Sequence, residues 1–310
     1  MFVLVTPARD EAENVAGLVA CVRRSSWVPD RWVVVDDGST DGTGDLFATH
    51  GSDLSFLEVV RLEGRAGYMG FHYADVVAAG YAAAAESVAD AEYAGILDAD
   101  IRVGPNYWAA LRGALRADPR LGIVSGALAS QAPDGVWRLE AGQRIDLPRG
   151  GLRLTRGEVF RAVGGVRHAR APDSVMTAGA RSAGWTTALY EGVVAYSTRP
   201  TDTRGDVSGA QSRGRRAWNI HQPAWQVLLR GCGIAASGRP AEGWGLLRGW
   251  ATEARAGGDR VDAPGVREYY RSERPREWAR SLRSRLTRAP DPHRFLDVLE
   301  VPPLDFEEPR

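Results

Sequence analysis

No lysine occurs anywhere in the 310 residues. All 39 basic side chains are arginine, set against 39 aspartates and glutamates for a formal net charge of zero. A balanced chain gives no ground for a nucleic-acid partner or an acidic surface. Arginine suits bidentate phosphate contacts, although genome-wide codon bias is the plainer source of so complete a bias. Cysteine is scarce. Cys21 and Cys232 cannot build a disulfide framework, and neither has a metal-binding neighbour in sequence. Long apolar runs are missing too, with nothing near the ~18 residues needed to span a bilayer. The N-terminus opens MFVLVTPARDE, with no basic start and an apolar run too short for a signal peptide. The expectation is a cytoplasmic, soluble protein without internal repeats.

What is present is ordinary globular material, 44% apolar and 25% charged, in a chain long enough for one large domain with an appendage. Strand and helix signals alternate through the first hundred residues. Strands are expected at Phe2–Thr6, Val33–Val35, Leu57–Arg61 and Tyr93–Leu97. Helices are expected from Asp10–Asn14 to Arg24, over Thr40–His50 and over the alanine-rich Gly70–Val88. Such alternation means βαβ units in an α/β fold with a mostly parallel sheet.

A second half follows. Pro105 is placed to open a helix ending near Ala117, Gly122–Ser130 reads as a strand and 131–150 as a loop or hairpin. A strand at Gly151–Thr155, helices at Gly157–Val163 and Ser174–Ala183, and a strand at Thr186–Leu189 complete it. Asp202–Gly214 is polar and glycine-rich, as in a mobile loop. The remainder is helical and arginine-rich, ending in a Pro- and acid-rich tail from Val301 that composition marks as disordered.

Two strand ends carry the chemistry. Val33–Val35 suit a strand buried on both faces, yet run directly into Asp36 and Asp37. Charges at the carboxyl end of such a strand lie where open α/β sheets bind ligands. Tyr93–Leu97 likewise ends in Asp98-Ala99-Asp100. Carboxylates two residues apart on extended chain point the same way and repel unless a hard cation such as Mg²⁺ or Mn²⁺ stands between them.

The ordered set TPARDEAEN (6–14), VVVDDGSTDG (33–42), a Gly/Arg segment (64–67), LDAD (97–100) and GGLRLTR (150–156) resembles family-2 glycosyltransferases of the GT-A fold over residues 2–197. The resemblance implies a GT-A core over 1–200, with a nucleotide-binding half (1–100) and an acceptor half (101–200). It implies an active-site-closing segment within 201–235 and leaves 236–310 as a helical C-terminal extension. Pro7, Ala8, Arg9 and Glu11 would line the nucleotide pocket. Asp37 would accept a hydrogen bond from the base, Asp36 would support the turn, and Arg65 would lie near the nucleotide. Asp98 would face the ribose, and with Asp100 hold a divalent metal, Mn²⁺ or Mg²⁺, on the donor diphosphate. The family's GluAsp pair before a helix ending in AlaGlyTrp falls on Pro172-Asp173 with Ala183–Trp185, so Asp173 takes the place of the catalytic base.

Downstream, QSRGRRAWNIHQP (211–223) is similar to the basic, Trp-containing segment that closes over the donor. Arg213, Arg215, Arg216 and Trp218 would then clamp diphosphate and sugar, and His221 would add a metal contact. Trp278, Leu282 and Leu286 share one helix face among arginines. Such a stripe either packs on its own domain or lies on an anionic membrane at the inner face. The expected function is inverting transfer from a nucleotide-diphosphate sugar to a hydroxyl on a glycan, lipid-linked or small-molecule acceptor, without nucleic acid. Two alternatives stand beside it: a glycosyl-phosphate-polyprenol synthase and a catalytically silent nucleotide-sugar-binding module.

Overall fold

The computed structural model describes residues 1–64, 69–199 and 207–304. Arg65, the polar 202–206 and the end of the tail from 305 lie outside the described residues. The first half runs β1 (Phe2–Ala8), α1 (Ala12–Arg23), β2 (Arg31–Asp36), α2 (Thr43–His50), β3 (Leu57–Arg61), α3 (Met69–Ala83), α4 (Ala85–Ala89), β4 (Tyr93–Leu97). The second half continues β5 (Ile101–Val103), α5 (Tyr107–Ala117), β6 (Leu121–Gln131), β7 (Trp137–Leu139), β8 (Leu152–Arg156), α6 (Gly157–Ala162), α7 (Pro172–Ser182), β9 (Thr186–Ser197). The helical layer comprises α8 (Val207–Asn219), α9 (Ala224–Ala236), α10 (Pro240–Ala256) and α11 (Val266–Glu268). A π turn at Tyr269–Glu273 then leads into α12 (Arg274–Thr287).

One sheet unites the core in the order β3-β2-β1-β4-β8-β6-β9-β5, with β7 on β6. The four strands β1 to β4 are parallel, and β8 enters antiparallel between β4 and β6. The valine run explains itself here. Trp32 and Val34 face α1, α2 and α5, while Val33 and Val35 face α3, α6 and α7, so alternation buries both sides. Every strand of this half therefore delivers its carboxyl end to the same edge of the sheet.

Three departures from the sequence reading have physical causes. Pro105 lies in the turn before α5 rather than in it, since Tyr107 N–H bonds Gly104 C=O and the helix starts at Tyr107. The stretch 207–214, read as part of a mobile loop, is the start of α8. Its glycines serve close approach: a Cβ on Gly214 would stand 2.1 Å from the Leu246 carbonyl, and one on Gly249 2.0 Å from that of Gln211. The tail begins packed. Leu139 N–H bonds Leu299 C=O, Val301 N–H bonds Trp137 C=O, and Val301 and Leu304 join the apolar cluster around Tyr196. Among the described residues no helix is long and apolar enough to cross a membrane.

Candidate active site

The loops after β1 and β2 are sewn to each other. Asp10 N–H donates to Ser39 Oγ at 3.0 Å, and Thr40 N–H to Asp10 Oδ1 at 2.8 Å. Glu11 N–H reaches Thr43 Oγ1 at 2.8 Å, and Ala12 N–H reaches Asp41 Oδ2 at 2.9 Å. Much of the DGSTDG segment is thus scaffolding. Asp36 belongs to it, buried with Oδ1 accepting Ser39 N–H at 3.0 Å. Gly38, at φ +66°, brings the turn so close to the loop after β3 that a Cβ would lie 2.4 Å from Gly64 Cα.

Asp37 differs. It is buried beside the ends of Pro7 and Ala8, and its Oδ2 faces Arg9 Nη1 at 3.3 Å and His72 Nε2. Among the described residues its Oδ1 is buried without a hydrogen-bond partner. Such an orphan costs about 1–3 kcal/mol, which a ligand donor repays. His72 went unread in the sequence, as did Tyr73 beside it, whose hydroxyl donates to Asp98 Oδ1 at 2.8 Å. Two polar aromatics opening an otherwise alanine-rich helix were the available signal.

The second carboxylate pair sits at the end of β4. Asp98 is pressed by backbone: a Cβ on Gly151 would stand 1.8 Å from its Oδ2. Burial, then the Asp100 charge, push Asp98 up to about 7. Burial also raises Asp100, against the pull of Arg199, whose Nε lies 3.9 Å away. Arg199 in addition pairs with Glu11, which Asn14 holds from below. Two crowded carboxylates that resist ionising together are the oxygen donors a divalent cation relieves, so Asp98 and Asp100 fit a metal.

Asp173, the second residue of α7, is half-exposed. A Cβ on Gly150 would touch it at 3.4 Å, while its neighbour Gly151 lies on Asp98. The fully buried Arg153 fixes this junction. Its guanidinium donates to the carbonyls of Arg149, Gly150 and Asp173 at 3.0–3.3 Å, and its Nη2 stands 4.0 Å from the Asp173 carboxylate.

The structure turns most of the 211–223 segment away from the strand-end carboxylates, although Arg213 and Arg216 reach a cavity beside Asp173. Arg213 pairs with Glu242 at 3.2 Å and Arg215 with Glu253 at 3.7 Å. Trp218 donates to Gly258 C=O at 2.7 Å, packs edge-on against Trp250, and lies under Arg260. His221 holds Val261 C=O with Nε2 and takes a bond from Arg260 on Nδ1, leaving no ring nitrogen for a metal. These side chains bind the helical layer together.

Asp146, Glu277 and His293 bring possible ligand atoms within 4.8 Å of one another. Arg144 and Arg181 already occupy that cluster, with contacts of 2.6 and 3.0 Å to Asp146 and 2.6 Å from Arg181 to Glu277. Two guanidiniums balance two carboxylates, so the cluster is an ion-pair knot rather than a metal site.

A family model described as glycosyl transferase family 2 matches residues 3–171. No curated protein matches the sequence. The mannosyltransferase PcManGT from Pyrobaculum calidifontis, in complex with GDP-Man and Mn²⁺, is similar at 18% identity and TM-score 0.51, over 83% of this chain and 74% of its own. S. aureus TarS 1-349 in complex with UDP is similar at 12% identity and TM-score 0.51, over 83% of this chain and 91% of its own. Likeness at such identities establishes a common fold and says nothing of substrate.

Proposed function

This chain belongs to glycosyl transferase family 2 and has the GT-A fold, and we propose that it is an inverting, metal-assisted transferase moving a sugar from a nucleotide-diphosphate sugar to an acceptor hydroxyl. The adjacency of Asp173 to the Asp98–Asp100 strand end, across Gly150 and Gly151, carries this reading. A base next to a diphosphate-handling edge is the arrangement that single-displacement transfer needs. PcManGT with GDP-Man and TarS with UDP support the donor class.

The geometry supports the following roles. Asp37 Oδ1 accepts a hydrogen bond from the nucleobase, with Arg9 alongside and Pro7 and Ala8 flooring the pocket. Asp98 and Asp100 hold Mn²⁺ or Mg²⁺, which when bound neutralises charge on the departing diphosphate. Arg199, paired with Glu11 and beside Asp100, is placed to turn its planar fork to phosphate oxygens. Asp173 takes the proton from the acceptor hydroxyl as that oxygen attacks the anomeric carbon, help worth about 10²–10⁴-fold. Arg153 positions it through the Gly150 and Asp173 carbonyls.

The deciding experiment is thermal unfolding with UDP-, GDP- and dTDP-sugars, with and without Mn²⁺, on wild type and Asp100→Ala. At about 100 times its Kd a donor adds about 2.7 kcal/mol of stability. Stabilisation by one nucleotide class that needs both metal and Asp100 is expected. Equal stabilisation of Asp100→Ala would remove the metal assignment, and no shift with any nucleotide would remove the donor reading.

A further inference from the structure

Asp173 faces two ways. Its charge bears on Asp98 and Tyr73 at the donor edge, and on Tyr270 in the helical layer. On the second side lies a cavity of about 750 Å³, walled by α7, α8, α9, the π turn and α12. That volume suits a small-molecule or head-group ligand.

The wall is rich in guanidinium. Arg144, Arg213, Arg216, Arg230 and Arg274 all line it, and its only carboxylates are Asp173 and Glu277. Arg144 is satisfied by Asp146 and Arg213 by Glu242, and Glu277 is taken by Arg181. Among the described residues no carboxylate pairs with Arg216, Arg230 or Arg274. Arg274 donates to the Tyr269 hydroxyl at 3.4 Å, lies over the Trp278 ring and feels the Glu277 charge. The charges of Arg274, Arg213 and Arg216 bear on Arg230, whose side chain is exposed. The π turn, a rare form often found at functional sites, sets Tyr269 and Tyr270 beside this group.

Arg216 and Arg230 are exposed and Arg274 is half-buried, so three guanidiniums without an ion-pair carboxylate converge at one concavity beside Asp173, an arrangement suited to an anion. A second feature adjoins them. Leu229 and Phe295 line the cavity and are exposed, and Trp225, Leu228, Leu282 and Leu286 are exposed on the same helices.

We propose that this cavity is the acceptor site and that it takes a phosphate-bearing acceptor, with Arg216, Arg230 and Arg274 holding the phosphate oxygens and the acceptor hydroxyl presented to Asp173. The assignment rests on the glycosyl-transfer reading and narrows its acceptor to organic phosphates. The phosphate belongs either to a water-soluble hydroxyl-bearing ester or to a prenyl phosphate that carries a hydroxyl-bearing sugar, its chain covering the exposed leucines.

The test is tryptophan fluorescence titration of the full chain in EDTA, with Trp278 in the wall as reporter. The probes are glycerol 3-phosphate and citronellyl phosphate, with glycerol and citronellol as uncharged controls, and nucleotide with Mn²⁺ is titrated separately. The expected result is phosphate binding at least about tenfold tighter than the matched alcohol. Arg230→Gln/Arg274→Gln loses that preference with unchanged nucleotide affinity, and Asp100→Ala loses nucleotide affinity alone. Tighter citronellyl phosphate identifies the lipid source, and tighter glycerol 3-phosphate the soluble one. Phosphates no better than alcohols, or a double variant that binds them like wild type, overturns the proposal while leaving donor binding intact. Failure of wild-type nucleotide binding alone counts against the transfer reading instead.

Discussion

The donor edge and the helical-layer cavity carry opposite charge. At the ends of β1, β2 and β4 the carboxylates Glu11, Asp37, Asp98 and Asp100 gather around few cations, of which Arg199 and Arg9 are the nearest. Across Asp173 the balance reverses, and arginines outnumber acids. A net charge of zero therefore conceals two poles. Each pole is open to a ligand of the other sign, which the proposals above name as a metal at one and a phosphate at the other. Asp173 belongs to both.

The sharpest way to break this comparison is at the junction. Asp173→Asn should lower kcat by about 10²–10⁴-fold with nucleotide Kd unchanged. Survival of transfer would mean an already ionised acceptor oxygen and would favour a glycosyl-phosphate-polyprenol synthase. Next comes the knot beside the cavity. Arg181→Met leaves the buried Asp146 and Glu277 under-compensated and should cost about 3–5 kcal/mol, read as a urea midpoint. A loss below about 1 kcal/mol would show the pair to be solvated like a surface bridge.

The two poles should also respond oppositely to pH. Asp98, raised to about 7, keeps its proton in the folded state after the unfolded chain has lost it. Its contribution is thus present below about pH 4 and is lost as pH rises through 7. Metal competes with that proton, so Mn²⁺ affinity should weaken about tenfold per pH unit below 7, and a flat profile would show Asp98 to be no ligand. Asp146 runs the other way. Burial opposes its ionisation, but bonds from His293 and Arg144 and the charge of Arg181 outweigh it and hold Asp146 well below the usual range. Its contribution is present above about pH 4 and fades as acid approaches its folded pKa. Asp146→Asn should flatten the acid limb of stability between pH 5 and 3, a smaller effect visible in parallel urea titrations of the variant and wild type.

The carboxylate cluster at the sheet edge was largely legible in sequence because its groups sit on neighbouring strand ends. Asp37, Asp98 and Asp100 each follow a buried run, and parallel strands bring such ends together. Asp173 needed a resemblance, since nothing local distinguishes it from a helix-opening residue. The arginine pole was misread. Arg213, Arg215, Trp218 and His221 form a motif in sequence, yet their partners Glu242, Glu253, Trp250 and Val261 come from distant chain. Gly214 looked like flexibility and is a contact surface, because a residue without a side chain serves either end. The Asp146–His293 bond joins residues 147 positions apart, beyond the reach of any local pattern.

The tail's return to the sheet also has a mechanical meaning. After α12 the chain lays 294–301 along 137–145, through the Ile145–Arg294, Gln143–Leu296 and Trp137–Val301 bonds. The helical layer is therefore a strap buckled at both ends, entering from β9 and fastened again beside β7. A nick after Arg288 would undo that buckle and leave the layer held by the Arg181–Glu277 and Arg170–Glu253 pairs and by the packing of Val175 and Ala178 on Tyr269 and Tyr270.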